Sequence, residues 1–354
     1  MRNRSSLSIK KTVGNTSLKA RMLAADGKYA EAIATRATEA LEHHLPIEGL
    51  TIAASGQIVS GSVAFEAPAD AQALSLVFLD EVNGHLLVPL KGAPPTPASS
   101  LGGASRANEI VELAVTGTSW VSIAADAPGV KTLVVNVRGI SRLNALVDVP
   151  FAEFGFLRTG QGCIAQPVEY SPPAFRPLAP VGRFLPMVPN EGQLAFMVPS
   201  DTRSAMLLVR TQPGGPIDLP VLGDGMARKP AVIATHRDGS FLLVSLVGIG
   251  APPPASFHPE PGMEPVVVDF VVENLNSESG VELQPEAQFV LVDGSGEQWV
   301  PEVESEDLPC RLSGSNVVPA GTWQRFSLLY GVPARQTLTL HYRGLKAEGT
   351  LKVR

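Results

Sequence analysis

The feature that most constrains this chain is a short apolar phrase, closed by a Pro-containing turn, that occurs three times. The copies read GSVAFEAPA at 61–69, GQLAFMVPS at 192–200 and FSLLYGVPA at 326–334. Their Pro residues, Pro68, Pro199 and Pro333, are separated by 131 and 134 residues. A phrase that returns at one module length indicates an internal repeat. The chain is therefore expected to fold as successive copies of one domain.

The third copy has the clearest strand pattern. In PVVVDFVVENLN, Val266, Val268, Phe270 and Val272 alternate with polar positions such as Asp269 and Glu273, which predicts a strand covered on one side. The segment Asp293-Gly294-Ser295-Gly296 predicts a hairpin turn. A turn at Pro319-Ala320-Gly321, a strand ending at Pro333 and two further strands complete about seven short strands. This order is typical of an antiparallel β-sandwich.

The second copy contains the same segments in the same order. VKTLVVNVRGI matches PVVVDFVVENL, FAEFGFLRTGQGC matches AQFVLVDGSGEQW, and AMLLVRTQPGGPIDLPV matches the closing strand pair. EIVELAVTGTSWVSI and AVIATHRDGSFLLVSL are similar strand pairs that precede the two copies. Several segments matched in one order are a stronger indication of a repeat than one shared nonapeptide.

The first copy is incomplete. KARMLAADGKYAEA aligns with QFVLVDGSGEQWVPEV, but the long first strand is missing, and GKYAEAIATRATEALEHHL has helical spacing at Ala30, Ile33, Ala37 and Leu41. Two explanations compete: this domain has lost an edge strand and gained a helix, or another chain donates the absent strand. We therefore predict an all-β fold with one short helix in the N-terminal domain. The predicted domains are an incomplete sandwich at 1–95 and sandwiches at 105–222 and 228–354.

The segments VVVDFVVEN, FVLVDGSGEQW, VVPAGTWQRFSLLYGVP and LTLHY together resemble an immunoglobulin-like domain family of unknown function, found in bacterial lipoproteins and surface proteins. The resemblance is good over 265–353, partial over 130–221, and restricted to the second half over 20–90. It implies tandem immunoglobulin-like β-sandwiches with a role in adhesion, scaffolding or protein binding, and it transfers no catalytic residue. The signal segment and lipobox Cys usual in that family are not found in this sequence.

Residues able to carry chemistry are present but scattered. None of the six His forms an H-x-x-x-H or H-E-x-x-H pattern, and His43-His44 is interpreted as a favourable charge at a helix end. Cys163, in GQGC, and Cys310 lie in no C-x-x-C pair, and we expect buried or incidental free thiols. Glu302, Glu304, Glu306 and Asp307 fit no EF-hand loop and predict a solvated strand edge. The sequence predicts no enzyme, no cofactor and no metal site.

The charge distribution points to protein or lipid partners. A net charge of −6 argues against nucleic acid. The acidic stretch from Glu260 to Asp307 and the basic stretch from Arg311 to Arg354 predict neutralisation between strands of one domain. The N-terminal segment is basic, and we predict that it binds an acidic protein surface or anionic lipid headgroups. Its residues are Arg2, Arg4, Lys10, Lys11, Lys19 and Arg21.

No segment reads as a signal peptide or as the roughly 18 apolar residues of a spanning helix. The predicted location is cytoplasmic or peripheral at a membrane surface, with the cell envelope as the alternative if an export segment was removed. The predicted function is a non-catalytic scaffold or accessory subunit of a larger protein assembly. The alternatives are a cell-envelope adhesion or carbohydrate-binding protein and, third, an enzyme whose pocket gathers His236, Cys163 or the acidic cluster.

Overall fold

The computed structural model describes most of the chain after residue 100 and shorter segments before it. The described residues are 9–11, 18–24, 29–31, 39–44, 50–52, 60–65, 74–80, 84–92, 98, 100–122, 129–143, 145–170, 172, 175, 177–186, 188–250, 257–302, 308, 310, 317–344 and 346–354.

The described elements are almost all strands, which confirms the predicted all-β class. Strands β1 to β7 are Ile9–Lys11, Leu18–Ala24, Tyr29–Glu31, Leu50–Ile52, Leu74–Asp80, Gly84–Lys91 and Arg106–Ala107. Strands β8 to β16 are Val111–Val121, Val130–Ser141, Val147–Val149, Gly155–Thr159, Ile164–Ala165, Gly182–Phe184, Asn190–Pro199, Ala205–Thr211 and Gly215–Leu222. Strands β17 to β26 are Ala234–Asp238, Leu242–Ile249, Met263–Asn274, Val281–Glu282, Phe289–Asp293, Gln298–Trp299, Val317–Val318, Trp323–Pro333, Leu338–Arg343 and Glu348–Lys352. Helix α1 is Phe151–Phe154, before β11, and helix α2 is Pro285–Gln288, before β21.

The same sheets recur along the chain. The strand order β12-β11-β15-β16 matches β22-β21-β25-β26, the order β14-β9-β8-β7 matches β24-β19-β18-β17, and the pair β10-β13 matches β20-β23. Near the N-terminus, the sheet β3-β2-β5-β6 and the pair β1-β4 follow the same scheme. Among the described residues, that first section has no counterpart of the sheet β14-β9-β8-β7.

The C-terminal section is a sandwich of two four-stranded sheets. The sheet β17-β18-β19-β24 and the sheet β22-β21-β25-β26 bury one common core, in which Phe270, Phe289 and Phe326 form the centre. The three ring centroids lie 5.2 to 5.3 Å apart, and each such aromatic pair contributes about 1 kcal/mol beyond the burial of area. We call this part, β17 to β26, the C-terminal sandwich.

Strand β19 has the predicted inner face, but the expectation that only one side is covered is wrong. Val266, Val268, Phe270 and Val272 all lie in the sandwich core. On the other face, Val267, Asp269 and Val271 are also buried, and Phe257, Leu308 and Leu329 pack around Val267. Strands buried on both faces have near-continuous apolar runs, and the run of Val residues in β19 is of this kind.

The predicted hairpin turn is confirmed. Strands β21 and β22 pair antiparallel with Leu291 opposite Trp299, and Gly296 has a φ of 91°. The Asp293 carboxylate accepts hydrogen bonds from the backbone N–H groups of Ser295 and Glu297, from the Ser295 hydroxyl and from the Trp299 indole. The Ser295 hydroxyl is the main reason that the pKa of Asp293 lies below its ordinary value of 3.8.

The predicted N-terminal helix is wrong over Tyr29–Glu31, which form strand β3. This strand pairs with β2, and Ala30 lies opposite Met22. In the C-terminal sandwich, Trp299 lies opposite Leu291 in the equivalent register. Strand pairing therefore overrides the helical spacing of these residues. Farther along, Glu39 is helical and the His44 imidazole donates through Nδ1 to the Leu41 carbonyl at 3.2 Å. Residues 32–38 lie outside the described residues.

The chain divides into two compact units, each made of several sequence segments. The first comprises residues 1–114, 137–149 and 182–192, and the second comprises residues 115–136, 150–181 and 193–354. Their boundary crosses β8, β9 and β14 and does not follow the three predicted domain ranges, so the three-domain division stays a prediction. In the first unit, Val77 of β5 packs with Leu185 and Val188.

Candidate functional site

Cys163 and Cys310 form a disulfide bond, so the expectation of free thiols is wrong. The two residues are 147 positions apart in sequence, and their Cα atoms lie 4.6 Å apart. Cys163 belongs to the turn between β11 and β12, whereas Cys310 precedes β23. Both side chains are buried, at 6% and 7% exposure. Neither cysteine has a local spacing motif, and only the folded arrangement of the second unit brings them together.

The turn that carries Cys163 requires glycine at Gly162. The Gly162 N–H donates to the Thr159 carbonyl at 2.9 Å, which closes the turn. Its φ of 89° is in the left-handed region, which residues with a Cβ rarely adopt. A Cβ at this position would also overlap the six-membered ring of Trp323. Gly162 therefore lets the turn lie directly on the first residue of β24.

Three covering residues form hydrogen bonds with the outer edge of β24, the edge opposite β19. The Gly162 carbonyl accepts from the Arg325 N–H at 2.9 Å, and the Cys310 carbonyl accepts from the Ser327 N–H at 3.3 Å. The Glu302 N–H donates to the Leu329 carbonyl at 2.7 Å. Alternate residues of the edge are thus paired, and the disulfide joins two of the chain segments that pair with it. We call this arrangement of Gly162, Cys163, Cys310 and β24 the disulfide junction.

The outer edge of β14, the matching strand, is covered without a covalent link. The Val168 N–H donates to the Ala195 carbonyl at 2.8 Å, and the Leu178 N–H donates to the Gln193 carbonyl at 2.9 Å. Val168 and Ala195 precede Glu302 and Leu329 by the same 134 residues, so one hydrogen bond recurs at equivalent positions. A strand edge whose backbone groups are already hydrogen-bonded is not available for pairing with a strand from another chain.

Charged groups surround the disulfide junction. The Asp269 carboxylate, whose side chain is 4% exposed, accepts from the Arg325 guanidinium and from the Ser327 hydroxyl. The Arg158 guanidinium lies 5.5 Å from the Trp323 ring centroid, a cation–π contact. Burial lowers the pKa of Arg158, and the charge of Asp218 opposes that shift. The ion pairs Arg325–Asp269 and Arg354–Glu264 confirm, for these residues, the predicted neutralisation between the acidic and basic stretches.

Two depressions lie in the second unit. The first, of about 250 Å³, is largely apolar, and both cysteines are among the residues that line it. Its apolar lining includes Val130, Ile164, Val168, Met197 and Leu308. The second, of about 760 Å³, is also mainly apolar in its lining surface, with Arg210, Gln212, Asp218, Ser277 and Glu278 among its polar residues. Arg210 bonds Asp218 at 2.6 Å and the Ala320 carbonyl at 3.2 Å, which links β15 to the turn before β24.

The basic residues predicted to bind a partner are only partly described. Lys10 and Lys11 lie in β1, opposite Thr51 and Leu50, and Lys19 and Arg21 lie in β2. Arg2 and Arg4 lie outside the described residues. The backbone of β1 and β2 belongs to sheets, so these four residues are not in a free tail. Their role in binding stays a prediction.

Of the other candidate residues, those that the structure describes are not brought together. Glu302 bonds Leu329, while Glu304, Glu306 and Asp307 lie outside the described residues. His236 belongs to β17, and its ring lies 5.7 Å from that of Tyr342 between centroids, tilted by 54°. Over the described part of the chain, no three His, Cys, Asp or Glu side chains are grouped as a metal site would require. Over the same part, no helix is long and apolar enough to cross a membrane.

No protein-family model matches this sequence, and no curated protein matches it significantly.

Proposed function

We propose that this protein is a non-catalytic structural or interaction protein, built from tandem immunoglobulin-like sandwiches, that serves as a scaffold within a larger assembly in an oxidising compartment. The observation that carries the proposal is the Cys163–Cys310 disulfide. It connects the β11–β12 turn to the segment that covers β24, and the recurring sheet orders support the tandem arrangement.

The disulfide supports the cell envelope over the cytoplasm. Disulfide bonds persist in secreted and periplasmic proteins, whereas cytosolic thiol systems keep cysteines reduced. Both sulfur atoms lie in residues that are less than 10% exposed, as suits a structural bond rather than a redox catalyst. The envelope was the alternative location in the sequence analysis, and the disulfide now makes it the preferred one.

A scaffold role is supported by how the second unit uses its polar groups. Asp269, Arg325 and Ser327 bond one another at the disulfide junction, and Asp238 accepts from Tyr342 and from the N–H groups of Lys346 and Ala347. These groups stabilise turns and strand edges. The hydrogen bonds on β14 and β24 disfavour partner binding by strand addition there, so partners are expected to contact sheet faces, loops or the basic N-terminal segment.

Fractionation of the native host, combined with thiol mapping, tests the location. Cells are lysed in the presence of an alkylating reagent, and peptides containing Cys163 and Cys310 are analysed by mass spectrometry without reduction. We expect a cross-linked peptide pair in the envelope fraction, with a cytosolic marker protein as the control for leakage. Recovery in the cytosolic fraction with both cysteines alkylated would reject the proposed compartment.

Affinity isolation after mild cross-linking tests the scaffold role. We expect the chain to be recovered with defined protein partners in constant ratio. A variant with Lys10, Lys11, Lys19 and Arg21 changed to Gln separates partners held by the basic segment from those held elsewhere. Binding of either protein to anionic vesicles measures the lipid alternative. Recovery of a free monomer after gentle lysis would contradict a scaffold role.

Adhesion to carbohydrate is the second candidate. The depression beside Arg210 favours it, because the amide, hydroxyl and carboxylate groups among its lining residues can hydrogen-bond sugar hydroxyls. Binding to a glycan array that is lost in Gln212→Ala and kept in the distant variant Gln298→Ala would replace the scaffold proposal with this one.

A further inference from the structure

The outer edge of β24 is hydrogen-bonded to Gly162, Cys310 and Glu302, and we call these three residues the cover of β24. The disulfide lies at one end of this cover. Gly162, next to Cys163, accepts from Arg325, and Cys310 itself accepts from Ser327. The cover on β14 has two spaced hydrogen bonds, from Val168 and Leu178, and no disulfide among the described residues. At β24 the two bonds come from chain segments that are 147 residues apart. Segments so distant in sequence do not hold each other in place through local geometry.

Cys310 also has an unfavourable backbone conformation. Its φ of 56° is left-handed, and a non-glycine residue there costs on the order of 1–2 kcal/mol. Such a conformation persists only where the surrounding structure imposes it. Among the described contacts, Cys310 itself is held by the bond to Cys163 and by the 3.3 Å hydrogen bond from Ser327, and Leu308, two positions earlier, packs with Leu329 of β24.

We propose that the Cys163–Cys310 disulfide is a redox-sensitive clasp: its reduction releases the Gly162 and Cys310 segments from the outer edge of β24 while both sheets of the C-terminal sandwich stay folded. Loss of the bond allows Cys310 to leave its left-handed conformation. The sandwich core does not include either cysteine, so its packing does not depend on the bond.

The reaction requires a dithiol reductant. One thiolate of the dithiol attacks a sulfur of the protein disulfide, the S–S bond breaks, and the other cysteine leaves as a thiolate. The second thiol of the reductant then attacks the mixed disulfide, forms a cyclic disulfide and frees the remaining cysteine. The protein gains two electrons and, at neutral pH, two protons, while the dithiol is oxidised. The 250 Å³ depression, which both cysteines line, is the route of access to the sulfur atoms.

Amide hydrogen exchange of the full chain, with and without dithiothreitol, tests the clasp residue by residue. The N–H groups of Arg325 and Ser327 point to the cover, whereas those of Phe326 and Leu328 point to β19, because alternate residues of a strand face opposite neighbours. We expect reduction to raise the exchange rates of the Arg325 and Ser327 amides at least tenfold. Phe326 and Leu328 are expected to stay strongly protected.

The variant Cys163→Ser/Cys310→Ser provides the matched control, since it should show the reduced pattern without reductant and no response to it. Two outcomes would overturn the proposal. Unchanged protection of Arg325 and Ser327 after complete reduction would show that the cover holds without the bond. Equal loss of protection at all four amides would show that the bond is needed for the fold itself, and not for the cover alone.

Discussion

Gly162 and Gly296 occupy the same position in two equivalent hairpin turns. Comparing the same substitution at both therefore isolates the contact between Gly162 and Trp323. Both have φ near 90°, and each donates its N–H to a carbonyl three residues earlier. A Cβ at Gly162 would overlap Trp323, whereas a Cβ at Gly296 would have no neighbour within 4 Å. The two glycines therefore share a backbone requirement and differ in the contact made.

We predict that Gly162→Ala lowers the free energy of unfolding more than Gly296→Ala does. The left-handed conformation costs about 1 kcal/mol in both, and displacement of Trp323 adds about 1–3 kcal/mol at Gly162 only. Urea unfolding of the oxidised proteins measures both losses. Equal losses would mean that Trp323 can be displaced without cost and that the close contact between the turn and β24 contributes nothing to stability.

Asp293 gives the turn at Gly296 a dependence on pH. Because its pKa is lower in the folded protein, the stabilisation is present above the ordinary pKa of 3.8 and is lost as the pH falls through the folded value. We predict that Asp293→Asn is less stable than the original protein at pH 7 and that the difference shrinks below about pH 4. Urea midpoints from pH 7 to pH 3 test this, and a constant difference would contradict it.

Asp269 and Glu264 allow a buried ion pair to be compared with a more exposed one on the same strand. Asp269 is 4% exposed and also accepts from Ser327, whereas Glu264 is 33% exposed in its pair with Arg354. We predict that Asp269→Asn costs about 2–4 kcal/mol and Glu264→Gln less than about 1 kcal/mol. Chemical unfolding measures both values. Similar costs would show that water screens Asp269 at the junction.

At the scale of elements, the period-two pattern predicted the strands well. A shift of one residue would turn the apolar side chains of a strand away from the core, so the pattern fixes which residues face inward. The inner face of β19, the end of β24 at Pro333 and the hairpin of β21 and β22 all follow the sequence. The second face of β19 was missed, although the run Val266–Val268 carried a signal for burial on both sides. The segment Tyr29–Glu31 was ambiguous because its Ala and Glu residues suit a helix when no partner strand is considered.

The disulfide junction could not be predicted from sequence for a different reason. Its members come from positions 162–163, 310 and 323–333, and no local spacing joins them. A disulfide depends on Cα separation in the folded chain, which a sequence distance of 147 residues does not indicate. The sequence repeat aligns GQGC with the turn at Gly296, and both segments form equivalent turns in the structure. The alignment nevertheless gives no reason to associate Cys163 with Cys310.

At the scale of the whole molecule, the disulfide restricts the unfolded chain as well as the junction. A bond that closes a loop of this length stabilises the folded state by about 4–5 kcal/mol in the chain-entropy description, which neglects structure remaining in the unfolded chain. We predict that dithiothreitol lowers the denaturation midpoint of the full chain and has no effect on Cys163→Ser/Cys310→Ser. Thermal or urea unfolding with free-thiol quantification measures the change. An unchanged midpoint after complete reduction would mean that the bond stabilises neither the fold nor the junction, and the argument for an oxidising compartment would lose its structural basis.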